Sequence, residues 1–366
     1  MTGLTLQAVE TVEDLRRLWP EIAALADRVN PHLCNGWEWH HAALTHFRSG
    51  RRLAAILAWA GGDLVAFLPL CGEWATFAKF PAFKYSAFEP WVGLSTAIVA
   101  PGYGGRLFDI LAGARGAILR PSGLVHLTVD AAVWAELSVS PGAAALPAGA
   151  LWVVPKQTLA VGGRGEALPP PSAKRVRNEF RRAERRLTER FAVSLDAPAP
   201  SEVARDPASV WARFLAVYRD SWKAGGRRSL NQAPHGGFYR QLFMGYAERA
   251  AVRAAFLTLD GVDAAAVWWV HHHDVLYGVQ TAYREDFRDY GVGAYLMASQ
   301  VHRLREDDVS AIDLMGAQPY KRRFATMRRD YWDLYVIQGA LWRRLAPLLQ
   351  RLGGRGDMMR WSGGAL

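Results

Sequence analysis

An acid, a phenol and an amine follow one another within a short stretch near the C-terminal end of the sequence. Asp313 ends a short apolar segment, and Tyr320 and Lys321 follow Pro319. Because proline suits the first turn of a helix, we expect Tyr320 and Lys321 to begin a helix near the strand end that carries Asp313. Ligands of α/β sheets bind outside the carboxyl ends of the strands. Together these groups can position an acceptor, protonate a leaving group and stabilise an oxyanion.

Each of these three residues also has a structural interpretation. Lys321 belongs to a basic run, so it is equally well explained as a surface lysine. Asp313 can cap the helix that follows it, and Tyr320 can pack in the core. The chemical interpretation therefore needs support from a second feature.

A glycine-containing loop at residues 288–293 is that second feature. It separates a predicted strand at 274–282 from an apolar helical pattern. Glycine lets the backbone approach an anion closely, and the free N–H groups and dipole of a helix N-terminus attract it. The loop is too short for a dinucleotide fingerprint, since Leu296 stands where a third glycine is needed. The residues predicted to hold a diphosphate are Arg288, Tyr290, Gly291, Val292 and Gly293.

A strongly basic helix is predicted over residues 173–190. Its apolar stripe consists of Val176, Phe180, Ala183 and Leu187. Its basic residues are Lys174, Arg175, Arg177, Arg181, Arg182, Arg185, Arg186 and Arg190. Two interpretations stay open: a docked helix with a solvated basic face, or a surface that contacts an anionic acceptor, tRNA or a membrane.

The two halves of the sequence repeat one order of elements. Strands at 52–59 and 64–70 are predicted to form a hairpin, and those at 252–259 and 264–271 a second one. The matching residues are Ala54, Ala55, Leu57, Gly61 and Asp63 with Ala254, Ala255, Leu257, Gly261 and Asp263, and Tyr103-Gly104 with Tyr290-Gly291. Chance in an Ala/Gly-rich chain is the alternative, but the shared order favours duplication of one α/β unit.

Further elements complete the predicted α/β pattern. Helical spacing predicts a helix over 11–30, one from a Ser209 cap to Trp222, and one over 237–250. Strands are predicted at 124–129 and 151–160.

The composition is that of a chain able to build two domains. Its 366 residues are 51% hydrophobic, and the formal net charge of +10 favours an anionic partner. The two cysteines, Cys34 and Cys71, predict no disulfide framework. The N-terminus lacks a signal-peptide pattern, and the most apolar stretch, 53–70, is broken by a Gly-Gly-Asp turn. We therefore expect a cytoplasmic protein.

Other catalytic patterns find little support. The run His271-His272-His273 lies on a predicted strand, where successive side chains point to opposite faces, so the three cannot converge on one ion. The sequence has no His-Glu-x-x-His or Cys-x-x-Cys pattern, and we expect no metal. It also has no Gly-x-Ser-x-Gly elbow, which a serine hydrolase of that type needs.

The two motifs together resemble those of the GNAT acyltransferases. The loop Arg288-x-x-Gly291-x-Gly293 is similar to their coenzyme A signature. The pattern Asp313-x-x-Gly316-x-x-x-Tyr320-Lys321-x-x-Phe324 resembles the closing motif of one branch. That branch holds the acetyltransferases linked to cellulose biosynthesis (the CelD/BcsL group) and is related to the Fem peptidyltransferases of cell-wall assembly. The resemblance covers about residues 10–340.

The resemblance implies a fold and a division of the chain. The fold class would be α/β, with two tandem GNAT-like folds whose mixed sheets are flanked by helices. We predict a degenerate GNAT-like domain over 1–161, a linker with the basic helix over 162–208, and a catalytic domain over 209–366.

The resemblance also implies an activity. An acyl group, with acetyl the first choice, would pass directly from acyl-CoA to an amine or hydroxyl of a sugar, lipid or amino-acid-like acceptor. Gly291 and Gly293 would hold the pyrophosphate. Lys321 would stabilise the tetrahedral intermediate, and Tyr320 would protonate the thiolate. Asp313 is expected to act as the base or to orient the acceptor.

Two other functions are kept as alternatives. One is Fem-type transfer from aminoacyl-tRNA, which the basic helix fits. The other is a non-catalytic protein that binds an anionic surface such as a membrane. In that case Arg182 and Arg186 should matter for function, whereas Lys321 should not.

Overall fold

The computed structural model describes residues 3–77, 80–89, 94–120, 123–146, 150–162, 166–167, 173–226, 228–304 and 309–338. Two compact units emerge, each of mixed α/β structure with helices flanking the sheets. The first unit comprises Met1–Lys156 and Tyr331–Leu366, and the second comprises Gln157–Asp330. The predicted α/β fold class is confirmed. Within the described ranges, no helix combines the length and apolar character needed to cross a membrane.

The first unit contains two groups of strands and six helices within its described residues. The strands are β1 (Thr5–Val9), β2 (Arg52–Leu53), β3 (Ala55–Ala60), β4 (Asp63–Leu68), β5 (Leu70–Phe77), β6 (Phe80–Ala87), β7 (Ile98–Val99), β8 (Gly123–Asp130) and the first half of β9 (Leu151–Gly162). The helices are α1 (Val12–Arg17), α2 (Trp19–Val29), α3 (Trp37–Phe47), α4 (Leu107–Ala114), α5 (Ala131–Ser138) and α6 (Pro141–Ala144). One sheet has the order β1-β3-β4-β7, and β2-β5-β6-β8 follow one another in the other.

The second unit is built on one sheet with the strand order β11-β12-β13-β14-β15-β9. Its strands are β10 (Glu166–Ala167), β11 (Val193–Asp196), β12 (Val252–Leu259), β13 (Val262–His272), β14 (Val275–Tyr283), β15 (Ala311–Asp313) and the start of β16 (Met327–Gln338). Its helices are α7 (Ala173–Thr188), α8 (Pro200–Arg205), α9 (Pro207–Arg219), α10 (His235–Ala247) and α11 (Val292–Leu304). Short 3-10 helices span Glu285–Tyr290 and Pro319–Arg323.

The predicted hairpins are both present. β3 and β4 pair in antiparallel fashion around a turn at Gly61 and Gly62, and β12 and β13 do so around Asp260 and Gly261. All four turn residues have positive φ, which fits the tight two-residue turns of a hairpin. The repeated Gly and Asp positions thus mark the same local structure in each unit.

Two helix boundaries differ from the prediction for local reasons. The helix predicted over 11–30 is two helices, α1 and α2, with Pro20 in the first turn of the second. Proline lacks the N–H that a continuous helix would need there. The helix predicted to begin at a Ser209 cap begins instead at Pro207, because the Asp206 side chain accepts from the Ser209 N–H and is the actual cap.

The division into units also departs from the predicted limits of 161 and 208. The basic helix α7 belongs to the second unit, where Leu187 is fully buried in the core and the Phe180 ring stacks on Tyr295. The C-terminal half of β16 belongs to the first unit, because Tyr331–Gln338 pairs with β8 along its whole length. Residues 163–165 and 168–172 of the predicted linker lie outside the described residues.

Candidate active site

The sheet of the second unit opens between two parallel strands. β14 pairs with β15 only from Val275–Ala311 to Tyr277–Asp313, where β15 ends. β14 continues to Tyr283 alongside β13. Beyond Tyr277, one edge of β14 therefore has no strand partner in the described part of the chain. This open edge begins at the level of Asp313.

The tip of helix α11 presents free amides. Gly291 ends the preceding 3-10 helix with φ of 70°, a conformation that favours glycine. The first backbone bond of the helix runs from the Tyr295 N–H to the Gly291 carbonyl, at 3.0 Å. The amides of Val292, Gly293 and Ala294 precede it and have no acceptor within the helix. A side chain at Gly291 would project into open space, so the backbone there is accessible.

A cavity of about 440 Å³ adjoins this tip. It is lined by Phe180, Arg182, Ala183, Arg185, Arg186, Gly291, Ala294, Tyr295, Ala298, Arg323 and Phe324. Four of these are arginines, and none of the described lining residues is acidic. Because guanidinium groups and free helix amides both attract phosphate, the cavity has the chemistry of a site for a polyphosphorylated ligand.

The other residues of the predicted phosphate loop have structural contacts. Val292 is fully buried. A Cβ at Gly293 would lie 2.9 Å from the Tyr283 ring, so packing alone requires glycine there. The Tyr290 hydroxyl accepts from Arg190 at 3.0 Å.

Arg288 points away from the lining described for the cavity. Its side chain is 68% exposed and forms an ion pair with Glu285 at 2.9 Å. Of the five predicted residues, Gly291 is the one that lines the cavity, and Val292 and Gly293 follow it in the chain.

Lys321 lies inside the protein instead of on its surface. It is 7% exposed, and its ammonium group donates to the Leu314 carbonyl and lies 3.4 Å from the Met315 carbonyl. Burial, aided by the positive charge of Lys223 and opposed by Asp313, lowers the pKa of Lys321 from 10.5 to about 8. The amine is therefore still mainly protonated at neutral pH.

Tyr320 and Asp313 occupy different environments. Tyr320 is 37% exposed, and its ring centroid lies 5.8 Å from the Lys321 ammonium. Burial raises the pKa of its phenol to about 12, so the phenol keeps its proton. Asp313 is fully buried, accepts from the Met315 N–H at 2.7 Å and lies 3.2 Å from an Arg329 nitrogen. These contacts do not fit the predicted direct contact between Asp313 and an acceptor.

Lys223 is a member of the site that the sequence did not reveal. It follows α9, and its ammonium group donates to the Thr281 carbonyl on β14 at 2.7 Å. Burial lowers its pKa to about 8. A lone lysine in a loop carries no local signal, and its position depends on a contact between segments far apart in the sequence.

The histidine run has no metal-site geometry. His271 and His272 end β13, and His273 follows in the turn with φ of 53°. In the described ranges, no group of three or more His, Cys, Asp or Glu residues could hold a metal ion.

Comparison with known proteins assigns the second unit to a class. Residues 174–322 match the family profile described as an acetyltransferase (GNAT) domain. The match includes α7, Lys223, the α11 tip, Asp313 and Lys321. The second unit thus contains a GNAT acetyltransferase domain, and the protein is an acyltransferase. The search of curated proteins found no match.

Solved structures share the fold over nearly the whole chain. FemX has 9% identity and a TM-score of 0.54, covering 93% of this chain and 100% of its own. The C-terminal domain of a putative lysylphosphatidylglycerol synthetase from Agrobacterium fabrum has 13% identity, a TM-score of 0.49, and coverages of 94% and 98%. A tandem GNAT protein from the clavulanic acid biosynthesis pathway has 12% identity, a TM-score of 0.44, and coverages of 91% and 98%. At these identities, the likeness to FemX concerns the fold alone.

Proposed function

We propose that the second unit transfers an acyl group, with acetyl the first choice, from acyl-CoA to an amine or hydroxyl. The observation that carries this proposal is the arginine-lined cavity at the tip of α11. Coenzyme A brings a diphosphate and a 3′-phosphate. Arg182, Arg186 and Arg323 supply matching positive charge, and the first amides of α11 supply hydrogen-bond donors.

The reaction that fits these groups is direct transfer. The acceptor nitrogen or oxygen attacks the thioester carbonyl, and the negative charge that develops on the carbonyl oxygen is stabilised by the Lys321 ammonium. The carbon–sulfur bond then breaks. Tyr320 donates its proton to the departing thiolate. The acceptor releases its own proton to solvent, and Tyr320 takes a proton back from solvent.

Asp313 acts indirectly in this proposal. Its carboxylate holds the Met315 N–H and the Arg329 side chain, and so fixes the turn whose carbonyls bind Lys321. We therefore assign it to positioning Lys321. The proposed setting is cytoplasmic, where acyl-CoA is available, and the proposed acceptor is a sugar, lipid-linked or amino-acid-like molecule.

Calorimetric titration with CoA, dephospho-CoA and pantetheine tests the donor. If the arginines bind phosphates, affinity should fall in that order, and acetyl-CoA should bind like CoA. Release of the free CoA thiol in the presence of amine acceptors then tests the transfer itself. Absence of binding by CoA and acyl-CoAs at millimolar concentration would overturn the proposal.

The second candidate is Fem-type transfer from aminoacyl-tRNA. The observation favouring it is the basic surface of α7, where the Arg185 side chain is 72% exposed. Binding of tRNA through phosphates would weaken steeply with salt, with a slope that counts the contacts. Tight, salt-dependent binding of aminoacyl-tRNA, with no binding of CoA, would favour this candidate over acyl-CoA.

A further inference from the structure

The open edge of β14 is approached by a second ammonium group. The Arg284 N–H donates to the Ala264 carbonyl on β13. In an antiparallel ladder, alternate residues face the partner strand, so Thr281, three positions earlier, faces the opposite edge. The register shift between β13 and β14 lies before Gln280, so the alternation of facing residues is unbroken from Thr281 to Arg284. Lys223 therefore donates to β14 from its open side.

Lys321 contacts the segment that directly follows β15. Its ammonium group contacts the Leu314 and Met315 carbonyls, which directly follow β15. β14 and β15 are paired only as far as Tyr277 and Asp313. The two lysines thus bind backbone carbonyls on the two strands that part at this point.

The lysines and Arg329 bring more positive charge to this part of the second unit than Asp313 balances. In the described residues, neither Lys223 nor Lys321 forms an ion pair with a carboxylate. Asp313 is near Lys321 but is shared with Arg329. Burial and, after it, the positive charge of Lys223 lower the pKa of Lys321. Buried cations that outnumber the nearby carboxylate are costly unless a further anion joins them.

We propose that Lys223, at the open edge of β14, forms an anion subsite that binds a carboxylate of the acceptor and leaves Lys321 for the oxyanion. This inference rests on the proposed function and narrows its acceptor to an amine or hydroxyl compound that carries a carboxylic acid, such as an amino acid. The four arginines of the cavity already provide for phosphates. Lys223 retains two N–H donors beyond the one bound to the Thr281 carbonyl, which suits a small monoanion.

Binding without catalysis provides the first test. N-acetyl amino acids, as product analogues, are titrated by calorimetry against the same compounds with the carboxylate converted to an amide. We expect at least tenfold tighter binding of the acids, and a loss of that preference in Lys223→Met. Lys223→Arg, which keeps the charge, should retain part of it.

Controls separate this inference from the proposed function. Lys84→Met, a substitution of a buried lysine in the first unit, should keep the preference for acids. A cooperative thermal transition shows that each variant is folded, and CoA binding is measured with every variant. If CoA binds but acids and amides bind alike across the panel, the subsite is wrong and the donor stands. If acids are preferred through Lys223 while CoA does not bind, the donor is wrong and the subsite stands.

A last comparison tests whether Lys223 binds a phosphate group instead of a carboxylate. Phosphoethanolamine is compared with β-alanine, which presents a carboxylate on an amine of similar length. Preference for the phosphate in the wild type, lost in Lys223→Met, would overturn the carboxylate assignment.

Discussion

A Tyr-Gly pair precedes a helix in both units, through a 3-10 turn over Gly104–Arg106 before α4 in the first unit and directly before α11 in the second, but the charges around the two turns differ. In the first unit, the Gly102 and Gly104 amides both donate to the Glu136 carboxylate, each at 2.8 Å. In the second, Gly291 and the amides that follow it border a cavity with four arginines. A helix start that holds its own carboxylate needs no ligand. The comparison indicates that Glu136 occupies the amides at this turn of the first unit, whereas the turn of the second unit adjoins an arginine-lined cavity.

A similar contrast concerns two buried lysines. Lys84 in the first unit and Lys321 in the second are 8% and 7% exposed, and burial lowers the pKa of each to about 8. Glu73 opposes this for Lys84, whereas Lys223 adds to it for Lys321. Each lysine thus has an acid and a cation nearby, but Glu73 acts on Lys84 more strongly than Arg51 does, whereas Lys223 acts on Lys321 more strongly than Asp313 does.

The largest expected effect on kcat comes from replacing Lys321, with Lys84 as its match in the first unit. Lys321→Met should lower kcat for acetyl transfer by about 10²–10³, the usual loss on removing an oxyanion-stabilising group. The matched substitution Lys84→Met should change kcat by less than about threefold if the first unit takes no part in the chemistry. Steady-state rates of both variants check this. A Lys321→Met protein with more than half of the wild-type rate would contradict it.

The next effect concerns the two helix tips. Arg186→Gln should weaken CoA binding by about tenfold or more, since a hydrogen bond from a charged group contributes about 1.5–3 kcal/mol. Arg106→Gln removes the same charge beside the first tip and should leave Kd unchanged. Calorimetric Kd values decide. Equal losses in both variants would mean that the first tip also binds the donor.

A pH dependence should separate Lys321 from its neighbours. Because the ammonium form is needed and its pKa is about 8, kcat should fall about tenfold per pH unit well above that value. The charged groups acting on its pKa are Lys223 and Asp313, and Asp313 is itself paired with Arg329. Tyr320 keeps its proton in this range because its pKa is about 12. The kcat–pH profile tests this.

Lys321→Arg serves as the control, since guanidinium does not titrate in this range. Whatever its absolute rate, this variant should lose the alkaline decline. A profile with the same decline would assign it to another group.

The smallest effect should come from Glu136. Glu136→Gln replaces a charged acceptor of two backbone amides, and we expect a loss of about 1–2 kcal/mol in the free energy of unfolding. CoA affinity and a stoichiometry of one per chain should not change. Glu21→Gln, on the exposed start of α2, should cost less than about 0.5 kcal/mol. Urea unfolding and calorimetry measure these quantities, and a second CoA bound per chain would show that the closed tip can be opened.

Local patterns in the sequence predicted the local structure of both units. The two hairpins, the helix after Gly291 and the short strand ending at Asp313 are where the pattern placed them. Turn residues and alternating apolar residues act over a few positions, so one sequence suffices to find them.

The sequence pattern could not predict contacts between segments that are distant along the chain. Lys223 meets Thr281 across 58 positions, and nothing near it marks that contact. Gly293 resembles a phosphate contact in sequence, yet the Tyr283 ring explains it. Arg288 shows the same limit, because the pattern at 288–293 gives no sign of its ion pair with Glu285, three positions earlier.

The path of strand β16 has a consequence for synthesis of the protein. The eight residues Tyr331–Gln338 pair with β8 and so belong to the sheet of the first unit. They are synthesised only after Gln157–Asp330, which form the second unit. During synthesis, the first unit therefore cannot complete its sheet until the whole second unit has left the ribosome. A chain released before residue 331 would carry every group assigned here to chemistry, yet would leave the β8 edge bare, which favours aggregation.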